Sequence, residues 1–168
     1  MLELVSSKVV SAVAVLVLSG SVLGFFAIER GAMEEAHFRD MCGSLGDAID
    51  GLSGTDSDIM LNVTFGGDRP GLRLDSSFRG NRYDIELRPG QVVFRQKGLT
   101  AVHAFVQAVH LADPGPVWNG TPYVSATGLA AFDSDHRILQ FRSGEDFVTE
   151  RMMLVVSGAS QYHTFIHR

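Results

Sequence analysis

The chain has little cysteine, lysine or asparagine. One Cys among 168 residues, Cys42, excludes an internal disulfide and a zinc site built from several thiolates. Whatever folds here is held together by ordinary packing. Lysine occurs twice, as Lys8 and Lys97, and the arginines are spread singly from Arg30 to Arg168, with no basic stripe and no interleaved aromatics. The formal net charge is −5, and all of it lies beyond residue 28 because Glu3 and Lys8 cancel. Such a surface does not suit a polyanion, so no nucleic-acid partner is expected. The chain also has no G-x-S-x-G, no P-loop, no dinucleotide fingerprint and no EF-hand loop. No catalytic, cofactor-binding or metal-ligating residue is assigned on this reading, and no enzymatic activity is expected.

Charge is absent from one long run as well. Val9 to Ile28 reads VVSAVAVLVLSGSVLGFFAI, long enough at about 1.5 Å per residue to span roughly 30 Å of hydrocarbon. Its Val, Leu, Ile and Phe residues contribute roughly −4 to −7 kcal/mol to membrane insertion. A single transmembrane helix over 9–28 is therefore expected, behind a short segment, 1–8. A cleaved signal peptide is the rival reading, because Ser19-Gly20-Ser21 follows the apolar run as a cleavage site would. Against it, the apolar run continues beyond Val22. Lys8 precedes the span, while Glu29, Glu34, Glu35 and Asp40 crowd its far end. This bias predicts a cytoplasmic N-terminus and a C-terminal domain outside. Within the span Gly20 and Gly24 form G-x-x-x-G, a surface on which a second helix can approach closely.

Residues 29–52 contain no proline, and Phe38, Met41, Cys42, Leu45, Ala48, Ile49 and Leu52 recur at spacings of three and four between charged positions. That pattern predicts an amphipathic helix. Gly43 and Gly46 each cost it about 1 kcal/mol relative to Ala, so its apolar face needs something to pack on.

Residues 53–168 have the pattern of an antiparallel β domain. Ile59, Leu61, Val63 and Phe65 alternate with polar neighbours, and 66–71 is a turn by composition. Tyr83, Ile85 and Leu87 alternate before Pro89-Gly90, which suits a type II turn leading into Val92-Val93-Phe94. A second hairpin is expected from Arg137–Phe141 through a turn at 142–146 to a strand from Phe147 toward Val156. Val102 to Leu111 fits either a strand or a helix, with strand preferred, and 112–136 reads as a long connection. The fold class is thus α+β: a membrane helix continuing into an amphipathic helix packed on an antiparallel sheet.

The histidines invite a metal reading but form no complete set. Glu34 and His37 make a single E-x-x-H beside the membrane. His103 and His110 share a face only on a helix, and His163 and His167 share a face of a strand without further ligands. Two of the three asparagines, Asn62 and Asn119, begin the sequons Asn62-Val63-Thr64 and Asn119-Gly120-Thr121, which are glycosylation candidates on the outer side.

A short N-terminus carrying Lys8, an apolar helix, its amphipathic continuation to Leu52 and then strands resemble the organisation of type IV pilin-like proteins, archaeal envelope proteins of that shape in particular. The resemblance implies a membrane-anchored structural or assembly protein whose apolar half-helix contacts lipid and, in a polymer, forms the filament core. Its partners would be further copies or other envelope proteins. The likeness is one of layout. Ser6-Ser7-Lys8-Val9 lacks the basic residue followed by Gly or Ala of the prepilin peptidase motif, and no Glu stands five residues into the apolar segment. The alternative is an anchored module that binds a ligand or partner through its β domain.

Overall fold

The computed structural model describes residues 2–66, 70–112, 138–156 and 158–167. The chain divides into two compact units, Met1–His37 and Phe38–Arg168. One helix, α1 (Leu2–Ser53), makes up the first and opens the second.

The helix ends one residue beyond the expected Leu52. Gly54 donates its N–H to the Asp50 carbonyl at 3.0 Å, and Thr55 bonds the Leu52 carbonyl through its N–H (3.2 Å) and its hydroxyl (2.8 Å). No basic residue lies in the last turn. The missing cation comes from far along the chain, since Arg151 donates Nε to the Thr55 carbonyl at 2.7 Å and Nη1 to Thr164 Oγ1 at 3.1 Å. Ser53 Oγ meets the same Thr164 oxygen at 2.9 Å. Arg151 is buried, with the Tyr162 ring 5.5 Å from its guanidinium carbon. Its charge sits where the helix dipole is negative, which offsets part of its desolvation.

The described residues of the second unit form nine strands: β1 (Ile59–Phe65), β2 (Leu72–Leu74), β3 (Asp84–Arg88), β4 (Gln91–Gln96), β5 (Leu99–Ala104), β6 (His110–Ala112), β7 (Leu139–Arg142), β8 (Phe147–Val156) and β9 (Ala159–His167). They form a five-stranded sheet in the order β2-β1-β8-β9-β6 and a four-stranded sheet in the order β5-β4-β3-β7. The four-stranded sheet is antiparallel, but β1 runs parallel to β2 and β6 parallel to β9. The architecture is therefore α+β with two sheets, one of them mixed, where the alternation alone predicted a single antiparallel sheet.

Three local expectations are corrected. Arg88 pairs with Gln91 across Pro89-Gly90, as a two-residue hairpin requires, but Gly90 has no positive φ, so the turn is not type II. The run 102–111 splits between the sheets. Phe105 and Val109 donate N–H groups to the carbonyls of Gly90 and Pro89 at 2.9 and 2.8 Å, and these bonds turn the chain between β5 and β6. The segments flanking 142–146 are not a hairpin, because β7 pairs with β3 whereas β8 pairs with β1 and β9. Ser143 fixes that corner: its N–H reaches the Tyr83 carbonyl (2.8 Å), its Oγ accepts from the Tyr83 N–H (3.0 Å), and its hydroxyl donates to the Ser76 carbonyl (2.8 Å). The hairpin partner of β8 is β9. Residues 112–136, read as a connection, lie almost wholly outside the described residues.

A single cluster of buried side chains holds Phe38, Met41, Cys42, Leu45 and Ile49 together with Val63, Tyr83, Ile85, Leu87, Val92, Phe94, Phe141, Phe147 and Ile166. The Phe38 ring lies 4.9 Å from Phe78, 5.8 Å from Tyr83 and 6.1 Å from Phe94, centroid to centroid. At β1 the inward set is shorter than the alternation predicts, since Ile59 is exposed while Val63 is buried. Two glycines are needed where they stand. Gly71 has φ 143°, and a Cβ there would lie 2.1 Å from the Asn62 carbonyl oxygen, so only glycine lets the chain pass beside β1. A Cβ at Gly46 would lie 2.1 Å from the His103 ring, so the glycine that weakens the helix also admits that imidazole.

Leu45 is wholly buried and Asp47 is exposed. Leu45→Ala should therefore lower the unfolding free energy by about 2–5 kcal/mol, and Asp47→Ala by less than about 1 kcal/mol. Denaturant unfolding of the full chain in detergent gives the comparison, and equal effects would contradict the burial.

Candidate functional site

Among the described residues the longest run of exposed large apolar side chains lies on the first unit. Leu16, Leu23, Phe26 and Ile28 are between 61% and 75% exposed along α1, on a scale uncommon for a soluble monomer. Among the described residues this is the one helix long and apolar enough to cross a membrane. Ser21 donates its hydroxyl to the Val17 carbonyl at 2.8 Å, which satisfies that polar group within the helix itself. Polarity returns at the end of the run, where Arg30 Nε meets Glu34 Oε1 at 3.0 Å. Gly20 and Gly24 are one helical turn apart, and a Cβ built on either meets nothing within 4 Å. The surface they share is open.

On the second unit the structure brings together polar groups that sequence patterning treated as solvated. Glu86, on β3, is buried and held by Arg88 Nε at 2.6 Å and by Arg95 Nη1 at 3.6 Å. Glu86 and Arg95, with Asp84, Gln140, Arg142 and Glu145, line an open groove of about 350 Å³ on the outer face of the four-stranded sheet. His103 Nε2 lies 3.0 Å from Asp50 Oδ2, and the other oxygen of Asp50 accepts the Val106 N–H at 2.9 Å. On the outer face of the five-stranded sheet, His110 Nε2 is 3.0 Å from His163 Nδ1, and His167 Nε2 is 3.5 Å from Glu150 Oε2. His103 and His110, seven apart in sequence, stand in different sheets. Among the described residues no three His, Cys, Asp or Glu side chains form a metal-binding group.

Asn62 is exposed on β1, but Thr64 of its sequon is buried. An enzyme acting on the folded chain would find that hydroxyl covered. Asn119 lies outside the described residues. Patterning missed the His103–Asp50 and His110–His163 pairs because each joins elements 53 residues apart in sequence, and it missed Glu86 because alternation alone treats that residue as solvated.

Cys42 has no exposure, and its Sγ lies 3.8 Å from the Val92 carbonyl. Burial pushes its thiol up from 9.0 to about 11, against hydrogen bonds from the backbone of Phe94 and His103. A raised pKa in the folded state means that this group's contribution to stability is whole below about pH 9 and is lost as the pH rises toward about 11, a loss of about 2–3 kcal/mol. Tyr83 adds a loss of the same sign from higher pH, because burial, with Asp75 and Cys42 nearby, raises it too. In denaturant unfolding the wild-type midpoint should fall between about pH 9 and about pH 11, and Cys42→Ala should flatten that fall. Iodoacetamide should leave the native thiol unmodified near neutral pH; rapid labelling would contradict its burial.

Compared with known proteins, the chain matches no family model, no curated protein and no solved structure.

Proposed function

We propose that this is a membrane-anchored structural or assembly protein of pilin-like layout, with its N-terminus in the cytoplasm and its β unit outside. The observation that carries the reading is the exposed apolar surface of α1 from Val15 to Ile28, followed in the same helix by Phe38 to Leu52, whose apolar residues are buried. The first stretch is suited to lipid or to other helices. The second serves as the helical cover of the β unit. Lys8 before the span and the carboxylates after it support the orientation. The buried, high-pKa thiol is unsuited to nucleophilic chemistry, which supports a non-catalytic role. Partners are membrane lipid and further copies or other envelope proteins that meet α1 at Gly20 and Gly24. The sequons at Asn62 and Asn119 would be modified on the outer side, at Asn62 before β1 is paired.

One feature favours the alternative of an anchored binding module. The charged groove around Glu86 has room for a small polar ligand.

Association is tested by replacing Gly20 and Gly24 together with Ile in the full chain and measuring chemical crosslinking in native membranes. The bulkier side chains should hold neighbouring helices apart and reduce crosslinked oligomers several-fold. Undiminished crosslinking would exclude this face as the contact, and a wild-type chain that never crosslinks would favour the binding module.

A further inference from the structure

On the outer face of the five-stranded sheet, β9 lies between β8 and β6. His110 on β6 stands opposite Phe165 on β9, and Met152 on β8 stands opposite His163 on β9. Residues opposite one another share a face, and so do residues two apart on one strand. His110, His163, Phe165 and Met152 therefore all project to the same side. The two imidazoles meet nitrogen to nitrogen at 3.0 Å. A metal ion bound at about 2.0–2.1 Å by two imidazoles, with an angle of about 90–110° between them, needs those nitrogens about 2.9–3.4 Å apart. The pair already stands at chelating distance.

The surroundings hold that geometry. Phe165 stacks on His110 with centroids 5.0 Å apart and planes at 28°. Phe165 and Leu154 have no exposure, and Met152, opposite His163 on the neighbouring strand, packs against them. Glu150 lies on the same face, with its Oε2 3.5 Å from His167 Nε2. The two imidazoles and the thioether of this face form a soft donor set.

We propose that His110, His163 and Met152 bind a soft transition-metal ion, copper(I) by preference. Without metal, one ring donates its N–H to the other. The ion takes the place of that shared hydrogen, and the displaced proton passes to the other nitrogen of its ring or to water.

The test is copper(I) titration of the full chain in detergent under ascorbate, in competition with bicinchoninate, alongside zinc(II) against a chromophoric chelator. Wild type should retain one equivalent of copper(I). His110→Gln and His163→Gln should each weaken it by about 10-fold or more, whereas Met152→Leu should weaken copper(I) by a similar factor and leave zinc(II) within about 2-fold. Cys42→Ala should bind as wild type does. If the histidine variants do not fold, X-ray absorption of the copper-loaded wild type decides, with one sulfur scatterer expected beside nitrogen. The proposal is overturned if wild type retains no copper(I), if the double histidine variant retains it undiminished, if Cys42→Ala abolishes binding, or if no sulfur scatterer is found.

Discussion

An apolar helix surface that the protein does not itself cover is the constraint on which everything else depends. Val15 to Ile28 carries large aliphatic and aromatic side chains with nothing packed over them. In water such a surface would drive association, while in a bilayer it is at rest, because the helix satisfies its own backbone groups and Ser21 bonds within the helix. The second unit has the opposite character, with Phe38, Phe78, Tyr83, Phe94, Phe141 and Phe147 gathered into one buried cluster. One helix passes from the first regime to the second without a break, so the change from exposed apolar surface to core element is written in side chains alone.

The place where that helix stops shows how strongly the second unit depends on distant contacts. The last turn of α1 has no cation of its own, and the guanidinium of Arg151, nearly a hundred residues later, bonds the Thr55 carbonyl just beyond it. Thr164 ties Arg151 to Ser53. At the other corner Ser143 bonds Tyr83 and Ser76 and separates β7 from β8. Such contacts join residues far apart in sequence, so the helix end is completed by strands that come about a hundred residues later.

The long helix was legible in the sequence because both of its signals are periodic: an uncharged run of membrane length, then apolar residues at three and four. Phe38, Met41, Cys42, Leu45, Ile49 and Leu52 are all buried. The hairpin of β3 and β4 was legible from alternation around a Pro-Gly pair, although its turn type was not. The separation of β7 from β8 was hidden, because Arg142 to Asp146 has the composition of any hairpin turn and the bonds that open it come from Tyr83. Glu86 alternated as a solvated residue would, and only the strand order reveals Arg95 beside it. His110 and His163 are fifty-three residues apart and meet through a parallel pair that no local pattern announces.

The central claim is that α1 crosses a membrane and carries the β unit on the outer side. The most direct measurement is alkaline carbonate extraction of membranes containing the full chain, followed by protease added from the outside and N-terminal sequencing of what remains. The account predicts a pelleted protein that keeps residues 1–28 in a protected fragment and loses the chain beyond Glu29 from outside. Release into the soluble fraction with a new N-terminus near Val22, or a β unit that only protease on the cytoplasmic side can reach, would contradict it.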